Sequence, residues 1–169
     1  MNLKRKNLLP YVISTLSDQP QAYAHIFGSP QYASIQGNVY FYQISLGVLV
    51  AAEVFGLPQS DENCMEKIFG FHIHGGHSCT GNETDPFADT GTHFAIAPCT
   101  KHPYHAGDLP PLFGNNGTAF LITLTDRFSV KEILGKTIII HSQADDFTSQ
   151  PGGNAGQKMA CGMIRNNAY

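Results

Sequence analysis

The chain of 169 residues lacks tryptophan altogether, and only 14% of its residues carry a charge. Disordered chains are typically rich in charge and poor in apolar residues, so the hydrophobic content of 42% predicts a folded domain with a buried core. The net charge of −3 provides no basic surface for nucleic acid, and we expect no such partner. No segment reaches the ~20 consecutive apolar residues of a transmembrane helix, so we expect no membrane insertion.

The chain also lacks any long stretch with the 3.6-residue period of an amphipathic helix. Short alternating segments separated by glycine and proline turns predominate instead, which is typical of an all-β sandwich or barrel. We predict strands at 21–26, 36–44, 47–55, 68–74, 118–125, 137–141 and 159–165, with one helical turn at 129–134. Two stretches without periodicity, 75–117 and 142–158, are predicted to be long functional loops.

The N-terminus has some features of a signal peptide. Basic residues at 4–6 precede a short apolar run, and Ala22-Tyr23-Ala24 has the form of a cleavage site. Pro10 and several polar residues interrupt the run, however. We therefore interpret 1–20 as an N-terminal extension with about one helical turn, followed by a domain at 21–169. This interpretation places the protein in the cytoplasm, and export to the cell envelope is the alternative.

Histidine is what the chain has in excess, with seven of its eight histidines lying from His72 to His141. In the predicted strand 68–74, His72 and His74 are two residues apart and share one face, while Phe69, Phe71 and Ile73 share the other. Two imidazoles side by side make half of a metal site.

A second group of metal-ligand side chains falls in the first long loop and consists of His93, His102, His105 and Asp108. Three imidazoles and one carboxylate can complete the tetrahedron of a closed zinc site. The histidines that remain for a separate site are His72, His74 and His141. Ligation by imidazole alone suits copper, which stands high in the affinity order of divalent metals.

The motifs around these residues resemble those of the copper,zinc superoxide dismutase family, in its bacterial type. The matching blocks are FHIH at 71–74, HF at 93–94, HAGDL at 105–109, HSQADD at 141–146 and GNAGQKMACGMI at 153–164. The resemblance extends from Gln21 to Arg165, and these blocks in this order are far more specific than any one of them alone.

The resemblance implies an immunoglobulin-like Greek-key sandwich, or flattened barrel, with two long functional loops. It implies an enzyme that converts superoxide to O₂ and H₂O₂ by cycling Cu(II) and Cu(I) next to a structural zinc site. The alternative is a non-catalytic relative that carries copper or holds only zinc. All four copper-ligand positions are filled here, which favours the enzyme. Family members occur as monomers or dimers, so a homodimer is one expected state.

The resemblance also implies roles for individual residues. The copper ligands are expected to be His72, His74, His93 and His141, and the zinc ligands His93, His102, His105 and Asp108. His93 would then bridge the two metals as a catalytic residue, and Asp145 would link His72 to His102. Lys158 occupies the position of an arginine at the channel mouth. Because lysine keeps the charge but lacks the planar fork, we expect a working but slower enzyme.

The four cysteines divide into two pairs on the same basis. Cys79 and Cys161 match the disulfide of the family, which does not by itself fix the compartment. Cys64 and Cys99 are left either to form a second disulfide or to stay free thiols.

The spacing from His93 to His102 is one residue longer than the usual family spacing, which makes zinc binding less certain than copper binding.

Overall fold

The computed structural model describes residues 8–59 and 67–167. In this part of the chain the strands are β1 (Ala22–Gly28), β2 (Gln36–Ile44), β3 (Gly47–Phe55), β4 (Ile68–Phe69), β5 (Phe71–His74), β6 (Leu112–Phe113), β7 (Ala119–Thr125), β8 (Thr137–His141), β9 (Lys158–Met163) and β10 (Arg165–Asn166). The helices are α1 (Leu8–Leu16) and α2 (Val130–Ile133).

Most of these strands form one antiparallel sheet in the order β5-β8-β9-β1-β2-β3-β7, and β10 extends the pairing of β1. The chain crosses from β3 at one side of the sheet to β5 at the other edge, returns to β7, and crosses again to β8. β4 and β6 form a small second sheet, and β6 packs beside β7. The sheet therefore curls into a half-barrel, and the predicted all-β Greek-key fold is confirmed.

The main core lies on the inner side of this curled sheet. Strand residues that alternate along the chain point into it, as Ala22, Ala24 and Ile26 of β1 do. β8 differs from the other long strands because all five of its residues are buried. Its continuous apolar run suits a strand that is covered on both faces. One face meets the core, and the long loops cover the other at its His141 end.

The predicted strands agree with the observed ones to within a few residues. The bounds of β2, β3 and β8 are as predicted, and the predicted strand 68–74 is divided between β4 and β5 at Gly70. α2 lies within the predicted turn at 129–134, where Ser129 and Glu132 form a capping box. The N-terminal helix is longer than the single turn expected, because α1 spans nine residues.

α1 packs on the outer face of the sheet instead of projecting into solvent. Val12 and Leu16 contact a small apolar cluster that includes Tyr42 and Leu49 of β2 and β3. The basic residues at 4–6, which suggested a signal peptide, lie outside the described residues. No helix in the described part of the chain is long and apolar enough to cross a membrane.

Candidate metal centre

Two groups of side chains come together at the edge of the sheet formed by β5 and β8. The first consists of His72, His74, His93 and His141, and the second of His93, His102, His105 and Asp108. Within each group the potential ligand atoms all lie within 4.8 Å of one another. His93 belongs to both groups, so the two candidate sites adjoin. The structure thus brings together all seven side chains that the sequence singled out as metal ligands.

The first group is built on neighbouring strands. β5 supplies His72 and His74, and the adjacent strand β8 ends at His141. The register of the β8–β9 pairing shifts between Ile140 and His141, as it does at a β-bulge. This irregularity lies directly beside the ligand position His141. All of β5 is buried, because the loops cover the face on which its histidines lie.

Hydrogen bonds to backbone carbonyls orient two rings of the first group, those of His74 and His141. Nδ1 of His74 donates to the carbonyl of Gly91 at 2.8 Å, and Nδ1 of His141 donates to the carbonyl of Gly156 at 3.3 Å. These bonds leave the Nε2 atoms of both rings directed at each other, 3.3 Å apart. Neutral imidazole with one nitrogen donating and the other free is the form that binds a metal.

Asp145 orients two further rings and connects the groups. Nε2 of His72 donates to its Oδ2 at 2.7 Å, and Nε2 of His102 donates to its Oδ1 at 2.9 Å. The opposite nitrogens, Nδ1 of His72 and Nδ1 of His102, are buried and, among the described residues, have no partner in hydrogen-bond geometry. A buried polar atom without a partner is costly, and a metal ion would satisfy each of these two. The donor set therefore fits metal binding.

Asp108 is the centre of the second group. Its Oδ1 lies 2.7 Å from Nδ1 of His93, and its Oδ2 lies 3.1 Å from Nδ1 of His105 and 3.2 Å from Nδ1 of His102. The carboxylate also accepts the backbone N–H of His105 at 3.0 Å. Three imidazole nitrogens and a carboxylate thus face one point, which is the donor set of a closed tetrahedral site.

Burial sets the protonation of three rings of the first group, those of His72, His74 and His141. It lowers the pKa of His72, lowers that of His74 well below the ordinary value, and together with nearby His72 lowers the pKa of His141 to about 3. These rings are neutral near pH 7. Burial acts to raise the pKa of Asp145, but hydrogen bonds from His72, the Phe147 amide and His102 outweigh it and lower that pKa to about 2.

Two side chains that the sequence reasoning missed hold the loop of the second group in place. Nη1 of Arg127 donates to the carbonyls of Pro103, His105 and Asp108 at 3.0, 3.4 and 3.1 Å. The amide of Gln150 accepts the N–H of His102 at 3.1 Å and donates to its carbonyl at 2.7 Å. Neither residue lies in a ligand motif, so no signal in the sequence marked them.

The segment between His93 and His102 contains a tight turn. The N–H of Cys99 donates to the carbonyl of Ile96 at 2.9 Å, which closes the turn away from both ligand positions.

His25 and His77 belong to neither group. Both are exposed, and their rings bond Asn38 and the carbonyl of Gly135.

Lys158 begins β9 beside the first group, since it is the register partner of His141. Its ammonium donates to Oδ2 of Asp85 at 2.8 Å and to the carbonyl of Phe87 at 3.1 Å. The sequence reasoning did not include Asp85, which lies in an irregular part of the first loop. The expected cation is present next to the site, but it is paired with a carboxylate.

A disulfide joins Cys79 in the first loop to Cys161 in β9, across a sequence separation of 82 residues. It attaches the loop to the sheet near the first group, and the predicted pairing is confirmed. Cys99 is exposed and has no disulfide partner among residues 8–59 and 67–167. Its predicted alternative partner, Cys64, lies outside the described residues, so a second disulfide stays a prediction.

The curled antiparallel sheet, with two adjoining histidine-rich groups that share one residue, defines a β-sheet metalloprotein with a two-metal centre. Among known families, the model described as copper/zinc superoxide dismutase (SODC) matches residues 35–164. The chain therefore belongs to the copper/zinc superoxide dismutase family.

Three relatives, each named superoxide dismutase [Cu-Zn], cover most of the chain. The protein of Deinococcus radiodurans is 30% identical, over 80% of this chain and 80% of its own length. The protein of Photobacterium leiognathi is 32% identical, over 76% of this chain and 78% of its own. The protein of Legionella pneumophila is 31% identical, over 76% and 77%. All three relatives are bacterial, which fits the predicted bacterial type.

Proposed function

We propose that this protein is a superoxide dismutase, an oxidoreductase that converts two superoxide anions and two protons to O₂ and H₂O₂. One observation carries the proposal: two groups of metal-ligand atoms share His93, and each contains a buried Nδ1 atom that has no hydrogen-bond partner in the described part of the chain. The names of the bacterial relatives support the same activity.

The first group would hold copper through Nδ1 of His72 and the Nε2 atoms of His74, His93 and His141. The second would hold zinc through the Nδ1 atoms of His93, His102 and His105 and a carboxylate oxygen of Asp108. Bound copper supplies one-electron redox chemistry, and bound zinc supplies a fixed positive charge without redox chemistry. Nitrogen ligands suit copper, and the mixed set suits a closed zinc site.

His93 is the residue we propose to carry a proton during turnover. Its Nδ1 is 2.7 Å from Asp108, in the second group, so its Nε2 is the nitrogen left for the first group. A proton taken up at Nε2 can be delivered to a reduced substrate next to it. The second proton of the product comes from solvent, which gives the two protons that the reaction consumes.

Asp145 holds His72 and His102 in the tautomer that presents Nδ1 to each site. Because one carboxylate orients a ring of each group, the positions of the two sites are coupled. Substrate would reach the first group through either of two openings: an open cavity of about 560 Å³ lined by His74, His93, His141 and the glycine-rich segment 152–156, and a groove of about 760 Å³ that Lys158 and His141 share. Superoxide is small enough to enter without any rearrangement.

The compartment and the assembly are two further parts of the proposal. We propose export to the cell envelope, the alternative weighed from the sequence, because the Cys79–Cys161 disulfide suits an oxidising compartment. The cytoplasmic expectation has no support from the described residues. We also propose that 21–169 forms the functional domain and that the homodimer is one state to test by light scattering.

The test measures superoxide decay with protein loaded with both metals, using His74→Gln as the variant and His77→Gln as the control. His74 belongs to the first group only, whereas His77 is exposed and lies outside both. We expect fast decay with the unaltered protein and His77→Gln, and loss of copper and of most activity with His74→Gln. Full copper occupancy without turnover would instead support the non-catalytic copper-binding alternative, which the pairing of Lys158 with Asp85 favours.

A further inference from the structure

Lys158, the cation beside His141 of the first group, is paired with a neighbouring carboxylate. Nζ of Lys158 lies 2.8 Å from Oδ2 of Asp85, and the side chains are 16% and 39% exposed. The same ammonium also donates to the carbonyl of Phe87 at 3.1 Å. Two of the three donors of Lys158 are thus satisfied by this loop.

The pair lies where an anion would approach the site. Lys158 and Asp85 line an open groove of about 760 Å³ that also contains His141 and Gln157. His141 belongs to the first metal-ligand group, and Lys158 is its partner across the strands. An anion moving along this groove toward His141 therefore passes the ion pair.

Asp85 is held in place from several directions. Its Oδ1 accepts the N–H of Phe87 at 3.0 Å, and its own N–H donates to Oδ1 of Asn82 at 3.0 Å. The disulfide from Cys79 to Cys161 attaches the same segment to β9, three residues after Lys158. The carboxylate is therefore part of a fixed loop, and Lys158 meets it at a defined position.

A lysine paired in this way attracts an anion much less than a free lysine does. The fields of the two opposite charges largely cancel at distances longer than their separation, so the pair acts as a dipole. The positive charge that the sequence predicted at the channel mouth is present, but its long-range attraction is offset by Asp85.

We propose that Asp85 is a specificity-determining residue that lowers the affinity of the Lys158 position for small anions and so reduces the capture of superoxide. The part concerning superoxide rests on the proposed function, whereas the part concerning anions does not. The substitution Asp85→Asn tests it. Asparagine has one acceptor oxygen where Asp85 uses two, so it keeps either the Phe87 N–H or the Lys158 ammonium as its partner. The Phe87 carbonyl still accepts from Lys158, so the lysine stays beside the groove while the negative charge is removed.

The first measurement uses metal-free protein, so it does not depend on turnover. Sodium azide, a small monovalent anion, is titrated at constant ionic strength, and the NMR shifts of the backbone amides of Gln157 and Lys158 report binding. We expect azide to bind Asp85→Asn about fivefold to tenfold more tightly than the unaltered protein, as removal of one charge a few ångströms away allows. In Lys158→Met, binding at these amides should be lost.

Glu83→Gln is the matched control, because Glu83 is an exposed carboxylate of the same groove and Lys158 bonds Asp85 instead. It removes the same charge without touching the pair, and we expect less than about a twofold change. Equal tightening by Glu83→Gln and Asp85→Asn would overturn the proposal, as would no tightening by Asp85→Asn. Backbone spectra that match the unaltered protein show that each variant is folded.

The second measurement repeats the comparison with metal-loaded protein and superoxide. Asp85→Asn should raise kcat/KM and make it fall more steeply with added salt than in the unaltered protein. If every variant is inactive while azide still binds Asp85→Asn more tightly, the proposed function fails and the anion inference stands. An active protein whose kcat/KM is unchanged by Asp85→Asn would overturn the role of Asp85 in superoxide capture.

Discussion

Two adjacent aspartates illustrate how position decides the role of a residue. Asp145 is buried and accepts hydrogen bonds from His72 and His102. Asp146 is exposed, and its Oδ1 accepts the N–H groups of Thr148 and Ser149 at 2.8 Å each. Both carboxylates accept hydrogen bonds, but of the two only Asp145 contacts side chains of the two metal-ligand groups.

This difference predicts the effect of removing each charge. Asp145→Asn replaces one acceptor oxygen with a donor NH₂ group, so either His72 or His102 loses its partner. We expect metal affinity to fall by about 10- to 100-fold, as is typical when a partner of a metal ligand is removed. Competition with a chelator, monitored separately for copper and zinc, measures it.

Asp146→Asn provides the matched control, because asparagine keeps the oxygen that accepts from Thr148 and Ser149. Its metal affinities should stay within about twofold of those of the unaltered protein. Equal losses in both variants would mean that charge in this loop matters, and not the contact of Asp145 with the two rings.

The ligand types could be predicted from sequence because imidazole and carboxylate side chains are chemically distinctive. The groups that orient them could not. His74 and His141 are positioned by the backbone carbonyls of Gly91 and Gly156, and every residue has such a carbonyl. Asp85 and Gln150 lie in loops without periodicity, where spacing carries no information about which side chains meet.

At the scale of elements, the two long loops depend on each other. The amide of Gln150, in the second loop, forms two hydrogen bonds with the backbone of His102 in the first. The side-chain amide thus pairs with both backbone groups of His102, as a neighbouring strand would in a β-sheet. The position of the His102 ring is therefore set partly by a residue 48 positions away along the chain.

The contact predicts a local effect of Gln150→Ala. The N–H of His102 loses its acceptor, so its hydrogen exchange should become faster by about tenfold, and zinc should dissociate faster. Exchange measured by NMR on the zinc-loaded protein tests this. Gln143→Ala, an exposed glutamine of the same loop, is the control and should leave the exchange of His102 unchanged. Slow exchange at His102 in Gln150→Ala would contradict the account.

The disulfide is the other element-scale constraint on the first loop. Cys79→Ala with Cys161→Ala removes a crosslink that closes a loop of 82 residues. The free energy of unfolding should fall by about 4 kcal/mol on the chain-entropy estimate. Urea denaturation of the metal-free protein measures the change.

Cys99→Ala is the matched variant for this experiment, since Cys99 is exposed and forms no disulfide within the part of the chain that the structure describes. It should change the free energy of unfolding by less than about 0.5 kcal/mol. A loss below about 1 kcal/mol for the double variant would show that the loop is held mainly by its other contacts.

Over the whole molecule, the sequence predicted the fold more fully than it predicted the packing of its ends. The period-two pattern places β1 and β2 because one face of each strand is mostly buried, whereas β3 is buried on both faces from Val48 to Ala52. α1 was expected to be one turn, because Pro10 and its polar residues gave no clear period. Contact of Val12 and Leu16 with the outer face of the sheet supports the longer helix.

The packing of α1 makes a prediction for the whole molecule. A chain of residues 21–169 lacks the contacts of Val12 and Leu16, so the free energy of unfolding should fall by about 2 kcal/mol. Metal stoichiometry should not change, because both metal-ligand groups lie within 21–169. Thermal unfolding and metal analysis of the shortened chain measure these two quantities. A shortened chain that cannot fold would contradict the proposed domain boundary.

Two point variants separate packing from chain length. Leu16→Ala should account for part of the loss, whereas Leu9→Ala should have almost no effect because Leu9 is 68% exposed. If Leu9→Ala is the more destabilising of the two, α1 does not pack in the way that the structure shows.

The central claim is that the two adjoining groups work as one redox centre for superoxide. The most direct measurement is the rate of superoxide decay in the presence of the unaltered protein loaded with zinc alone, and then with copper and zinc at measured occupancy. The account predicts no acceleration with zinc alone and rapid catalytic decay once copper is added. Full occupancy of both groups with no acceleration of the decay would contradict it.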